Sequence, residues 1–188
     1  MGYATLEELK GYLGIALTEQ QDDVLLASLL EVASAKIDAD TRTTFRAEDD
    51  ATRYFDGGAI RGDTLRLDAH LLSVTSIVNG DGVTIAGGDV IGLPRNEGRY
   101  HSLRLRASTI PRWWAGEEIA VTGKWGFSTE PPADIVQACI RLATYLYRQK
   151  DNTVDLDRAV VSAGGTLLPA TLPRDIEQYL APYMPGKL

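Results

Sequence analysis

Apolar residues recur along this chain at two different spacings, and the change from one to the other divides it. From Thr5 to Leu13, "TLEELKGYL" places Leu6, Leu9 and Leu13 on one helical face. Thr5 and Glu8 stand at the spacing of a capping box, in which hydroxyl and carboxylate each satisfy a free N–H at the helix start. Gly14 follows, where a helix would stop. From Thr18, "TEQQDDVLLASLLEVASAKIDADT" repeats Leu25, Leu26, Leu29, Val32, Ala33 and Ile37 at helical spacing, with Thr18 and Gln21 as a second box. This predicts a long helix beginning at Thr18. A buried stripe side chain contributes about 1.5–3 kcal/mol, so both helices need a partner surface more than they need propensity.

After Phe45 the period falls from about 3.6 to 2. The segments "ATRYFDG", "TLRLD", "SVTSIVNGDGVTI", "DVIGLP", "HSLRLRA" and "EIAVTGKWG" alternate apolar and polar residues and are separated by Gly, Asn, Asp and Pro. Residues 51–130 therefore read as an antiparallel β unit. Its clearest turn is "NGDG" at 79–82, because Asn and Gly tolerate the positive φ of tight hairpins. Helical spacing returns after Pro131, with Ile135, Cys139, Leu142 and Leu146 as the apolar stripe, and Trp125 and Phe127 are expected to pack at the junction. Residues 152–172 show no sustained period, which predicts a functional loop or flexible arm, and "PRDIEQYLAPYM" predicts a last short helix. The expected fold class is α+β: a small helical bundle of three main helices plus a short C-terminal one, with an antiparallel β insertion. Segments 1–50 and 131–188 are expected to form one helical core around the insertion at 51–130.

Composition narrows what such a chain does. Its 188 residues, 44% of them hydrophobic, are enough for a real core. No run is long and apolar enough to cross a membrane, and the start lacks the apolar stretch of a secretory signal, so a cytoplasmic protein is expected. The single Cys139 cannot form an intrachain disulfide. The formal charge of −7 lies wholly in residues 1–50, where 11 acidic residues face 4 basic ones, while the rest carries 15 of each. An acidic front end is poorly suited to gripping phosphate backbones, and a solvated helical face explains it without any partner.

Candidate chemistry is sparse. The two histidines, His70 and His101, fall in the β region with no nucleophile motif, and one Cys with two separated His does not make a zinc site. They read as ordinary strand or loop residues. "GGAIRG" and "AGGDVIG" lack the strand–glycine–helix pattern that cradles phosphate. Asp49 with Asp50 and Glu117 with Glu118 are adjacent loop charges, not an acid and base couple. "NGDGVTIAGGD" lacks the acid that closes a calcium loop. No enzymatic activity, cofactor or metal is therefore expected.

The stretch "RNEGRYHSLRLRASTIPRWWAG", 95–116, carries Arg95, Arg99, Arg104, Arg106 and Arg112 against the single acid Glu97, with Tyr100, Trp113 and Trp114 interleaved. Arginine with tryptophan is the composition of protein interface hot spots, so Arg104, Arg106, Arg112, Trp113 and Trp114 are candidate interface residues. Alternation of Arg104 and Arg106 with Leu103 and Leu105 is equally what a half-exposed strand shows. Of two adjacent tryptophans on a strand or loop, one is free to be core and the other exposed. In the arm, Val160, Val161, Leu167 and Leu168 are apolar without polar cover and would supply buried area if the segment orders on a partner.

The order "YATLEELKGYLGI", the long helix ending "ASAKIDADTRTTF", "ATRYFDG", "VTGKWGFSTEPPADIVQACIRLATYLYRQKD" and "LPRDIEQYLAPYM" resembles that of the head–tail connector, or adaptor, proteins of tailed bacteriophages and prophages. The likeness is strongest over residues 3–56, 119–151 and 171–184. It implies a structural subunit that forms a homo-oligomeric ring, at the portal's symmetry, between the portal protein and the tail completion (stopper) proteins. DNA would pass through that ring, and the subunit would be found in the virion and, during assembly, in the host cytoplasm. Two other classes stay open: a nucleic-acid-binding module using residues 95–114, and a tail-associated enzyme, for which the chain offers no cluster of His and carboxylates.

Overall fold

The computed structural model describes residues 2–47, 49–106, 112–113, 116, 118–149, 161–162, 165–166 and 172–184. The chain divides into two compact units, one built from residues 1–42 and 131–188 and the other from residues 43–130.

In the helical unit, α1 spans Leu6–Leu13 and begins on the expected box: the Glu8 N–H donates to Thr5 Oγ1 at 3.2 Å, and the Thr5 N–H donates to Glu8 Oε2 at 2.7 Å. Gly14 ends the helix in the left-handed region, φ 75°, which a residue without Cβ adopts at little cost. Helix α2, Asp23–Thr41, starts five residues later than the sequence predicts, and Thr18 with Gln21 does not cap it. The cause is Lys10, only 2% exposed, whose ammonium donates to the carbonyls of Leu17 and Glu19 and to Asp23 Oδ1 at 2.8 Å. Those carbonyls are turned onto a cation instead of along a helix axis, and a buried charge is tolerated because three acceptors surround it. Lys10→Met should therefore strip the partners from one carboxylate and two carbonyls. It is expected to destabilise the helical unit by about 2 kcal/mol, read as a lower urea midpoint by far-UV circular dichroism.

Helix α3, Ala133–Gln149, buries Ile135, Cys139, Leu142 and Leu146 completely and packs on α2 and α1. Against α2 the Tyr147 hydroxyl reaches Asp22, and Ser34 Oγ lies 3.4 Å from Cys139 Sγ. Helix α4, Arg174–Leu180, is held on α3 by Arg141 with Asp175 at 2.5 Å, and the Tyr183 hydroxyl just beyond α4 donates to Asp134 Oδ2 at 2.8 Å.

The second unit is a seven-stranded sheet: β1 Ala51–Phe55, β2 Ile60–Arg61, β3 Thr64–Val78, β4 Thr84–Ile85, β5 Val90–Leu93, β6 Tyr100–Leu105 and β7 Ile119–Trp125. The main path runs β1-β7-β3-β6-β5, with β2 and β4 paired to β3, and every pair is antiparallel. The Asn79–Gly82 turn forms as its residues require: Gly82 has φ 79°, and the Asn79 N–H donates to the Val83 carbonyl at 2.9 Å.

The class is α+β, but the sheet is more than an insertion on a small bundle. It encloses its own core of Leu65, Leu71, Ile77, Leu103, Ile119, Val121 and Trp125, among others. "TLRLD" and "SVTSIV" are also one strand, not two, because β3 runs 15 residues unbroken. Its register shifts against β6 between Arg66 and Leu71, and against β7 between Leu71 and Ser73 and between Val74 and Ser76. Bulges of this kind let one strand bend and serve two neighbours, and they interrupt the period of two that would have marked it as continuous. Within the stretch 152–172, Val161–Ser162 and Gly165–Thr166 form a small antiparallel pair, β8 and β9. Leu172 is buried. The remainder of that stretch lies outside the described residues.

Candidate interaction surface

Strand β6 decides how the arginine stretch is presented. Leu103 and Leu105 are buried, so Ser102, Arg104 and, just past the strand, Arg106 fall on the opposite face, Arg104 half-buried and Arg106 exposed. Residues directly opposite in a sheet share a face. Arg104 pairs with Thr64 on β3 and Ile91 on β5, and Ser102 pairs with Arg66. The register thus places Arg66, Arg104 and Arg106 on one face, and among the described residues none of the three takes part in an ion pair. Arg66 escaped the sequence reading because it lies far from residues 95–116 in the chain. Only the β3–β6 register brings it alongside.

The other residues of the stretch separate. Arg99 pairs with Glu97 at 3.4 Å and lies 4.2 Å over the Phe127 ring. Arg112 is exposed, with its carbonyl accepting from Asn79 Nδ2 at 3.3 Å. Trp113 is 4% exposed and belongs to the core of the sheet unit, and its indole N–H donates to the Asp63 carbonyl at 2.9 Å. In the single chain Trp113 therefore offers almost no surface to a partner. Trp114, Val160, Leu167, Leu168 and the side chain of Val161 lie outside the described residues. Trp125 is in the core as well, donating to the Ala51 carbonyl at 2.9 Å under the Arg53 guanidinium, while Phe127 packs on Phe45.

The histidines, separate in sequence, meet across β3 and β6 with ring centroids 4.5 Å apart, and His70 also packs on Phe127. Burial, helped by the charge of His101 and of Arg99, lowers the His70 pKa from 6.5 to about 4, with Glu97 opposing. His70 thus stays neutral in the folded chain over a range where the unfolded chain protonates it. Folding stability should be complete above about pH 6.5 and fall as the pH drops toward about 4, by on the order of 1–2 kcal/mol once solvent screening is allowed for. The expected result is a smaller loss of Tm between about pH 7 and about pH 5 in His70→Gln than in the parent. An equal loss would mean that His70 does not carry the effect.

Cys139 is fully buried, and burial raises its thiol pKa. That keeps it protonated and a poor nucleophile. Among the described residues no three His, Cys, Asp or Glu side chains gather as a metal site would need. What the sheet unit presents, among the described residues, is a face of Arg66, Arg104 and Arg106 without ion pairs.

No family model matches the chain, and no curated protein matches it in sequence. Solved structures do match its fold. A chain in the neck of an empty gene transfer agent particle, computed with C6 symmetry, aligns at TM-score 0.65 and 17% identity over 99% of this chain and 91% of that one. A chain in the virion of a native gene transfer agent particle aligns at TM-score 0.65 and 20% identity, over 99% and 91%. A third, in the neck of the native particle computed with C12 symmetry, aligns at TM-score 0.63 and 18% identity, over 97% and 89%.

Proposed function

We propose that this chain is a structural subunit of the neck of a tailed phage, prophage or phage-like particle, and that within the neck it serves as the head–tail connector. The observation that carries the reading is that both units, helical and sheet, share one fold with chains of gene transfer agent neck and virion particles along 97–99% of this chain. The neck of those particles was computed with C6 and C12 symmetry, which supports a closed ring of identical subunits for this chain too. A ring needs two different complementary patches on each subunit. The face of Arg66, Arg104 and Arg106 serves as one, and the acidic surface of residues 1–50 supplies charge of the opposite sign for the other.

In this reading the ring sits between portal and tail completion proteins, surrounds the DNA path without clamping it, and performs no chemistry. The subunit is a virion component that assembles in the host cytoplasm. Co-sedimentation with purified portal rings tests the proposal: the chain should pellet with the portal in a fixed ratio. A chain that ignores the portal but binds duplex DNA, with affinity falling steeply as salt rises, would replace the connector reading by the nucleic-acid one.

A further inference from the structure

One end of the helical unit holds a cavity of about 270 Å³, lined by Tyr12 from α1, Arg141, Thr144, Tyr145, Arg148 and Gln149 from α3, and Asp175 from α4. Two of its lining residues are buried and unsatisfied. Among the described residues the Thr144 hydroxyl and both the Oε1 and Nε2 of Gln149 have no hydrogen-bond partner, although Thr144 is only 5% and Gln149 7% exposed. A threonine in a helix ordinarily returns its hydroxyl to a carbonyl one turn back, as Thr41 does to Ile37 at 2.8 Å, and Thr144 does not. Buried polar groups left unpaired cost stability, so three such atoms at one cavity are unexpected. Two guanidinium groups stand at the same cavity. Arg141 is engaged by Asp175 and lies 5.6 Å over the Tyr179 ring, whereas Arg148 is exposed and takes part in no ion pair among the described residues.

We propose that this cavity receives an acidic side chain on an extended peptide segment of a neighbouring polypeptide. A carboxamide offers one donor and one acceptor side by side, the complement of a backbone peptide group, and Gln149 has both free. Arg148 supplies the planar fork that a carboxylate accepts, with Tyr12 and Tyr145 as flanking rings. The volume lies just under the range of drug-sized pockets and the lining is polar, which fits one acidic residue with its adjoining peptide groups rather than an apolar cofactor. The peptide reaches the orphaned groups once Gln149 turns its carboxamide into the cavity. Their lack of partners among the described residues is then a stability cost that binding relieves.

The experiment is a heteronuclear NMR titration of the full chain with N-acetyl-glycyl-glutamyl-glycinamide, and it does not depend on the ring reading, since it uses the isolated protein. Saturable shifts centred on Thr144 and the Gln149 side-chain amide are expected. Binding should weaken about tenfold or more when glutamine replaces the peptide's glutamate, and likewise in Arg148→Gln, a surface change that leaves the fold intact. Gln149→Met should raise Tm by about 2–4 °C while lowering affinity, a combination that a purely structural glutamine would not give. Absence of saturable shifts, equal binding of the glutamine peptide, the same shifts from sodium acetate at equal concentration, or a lower Tm in Gln149→Met would each overturn the proposal.

Discussion

Gly123→Ala should unfold the sheet unit or leave it with a melting transition far below the parent's. Gly123 lies in β7 between β1 and β3, paired with Ala51 on one side and Val74 on the other. A Cβ there would stand 2.0 Å from the Ser73 carbonyl oxygen and 3.0 Å from Leu71 Cδ1. The first contact is with backbone of the long central strand, which cannot turn aside as a side chain would, so β3 and β7 would have to part along their shared ladder. The expected cost is about 3 kcal/mol or more, at the high end for a single substitution. Gly11→Ala is the control. Gly11 sits inside α1 with nothing within 4 Å of its added Cβ, so alanine there should stabilise the helical unit by about 0.5–1 kcal/mol. Thermal melts of the two variants, followed by near-UV circular dichroism for the tryptophans of the sheet, separate the outcomes. A Gly123→Ala protein that melts with the parent would show the β3–β7 packing to be wrong.

Joint reversal of Arg104 and Arg106 to glutamate should leave folding nearly intact and remove assembly. Both side chains lie on the face away from Leu103 and Leu105, and among the described residues neither is in an ion pair, so the change breaks no salt bridge there. Interface arginines contribute about 2 kcal/mol each when they are hot spots, and reversal adds like-charge repulsion, so association should weaken by about a hundredfold or more. Trp113→Ala should behave in the opposite way. It removes a buried indole and its hydrogen bond to Asp63, and is expected to cost about 3–5 kcal/mol of stability whether or not a partner is present. Assembly unchanged in the double arginine variant would exclude this face from the proposed ring contact.

The local rules of the chain were readable where a residue's role depends on near neighbours. The Thr5–Glu8 box, the stop at Gly14, the stripe Ile135–Leu146 and the Asn79–Gly82 turn each depend on residues close along the chain, within about three helical turns of each other. What escaped the sequence needed partners distant in the chain. Thr18 has the residue type and spacing of a cap, yet Lys10 draws the carbonyls of Leu17 and Glu19 away and delays α2 to Asp23. The bulges of β3 hid one strand as two. The arginine face was half legible: Arg104 and Arg106 follow from alternation, whereas Arg66 joins them only through register, and Trp113 belongs to the core because its indole finds Asp63, 50 positions earlier. The pairing of His70 with His101 and the orphaned Thr144 and Gln149 are likewise products of packing, with no signature in residue spacing.

The most direct test of the connector reading is negative-stain microscopy of portal rings mixed with an excess of this chain. Class averages should show a second ring of density stacked on one end of the portal and sharing its rotational symmetry. The Arg104→Glu/Arg106→Glu variant should leave the portal bare. Portal rings unchanged by the parent chain, or density scattered around them without rotational order, would contradict the account.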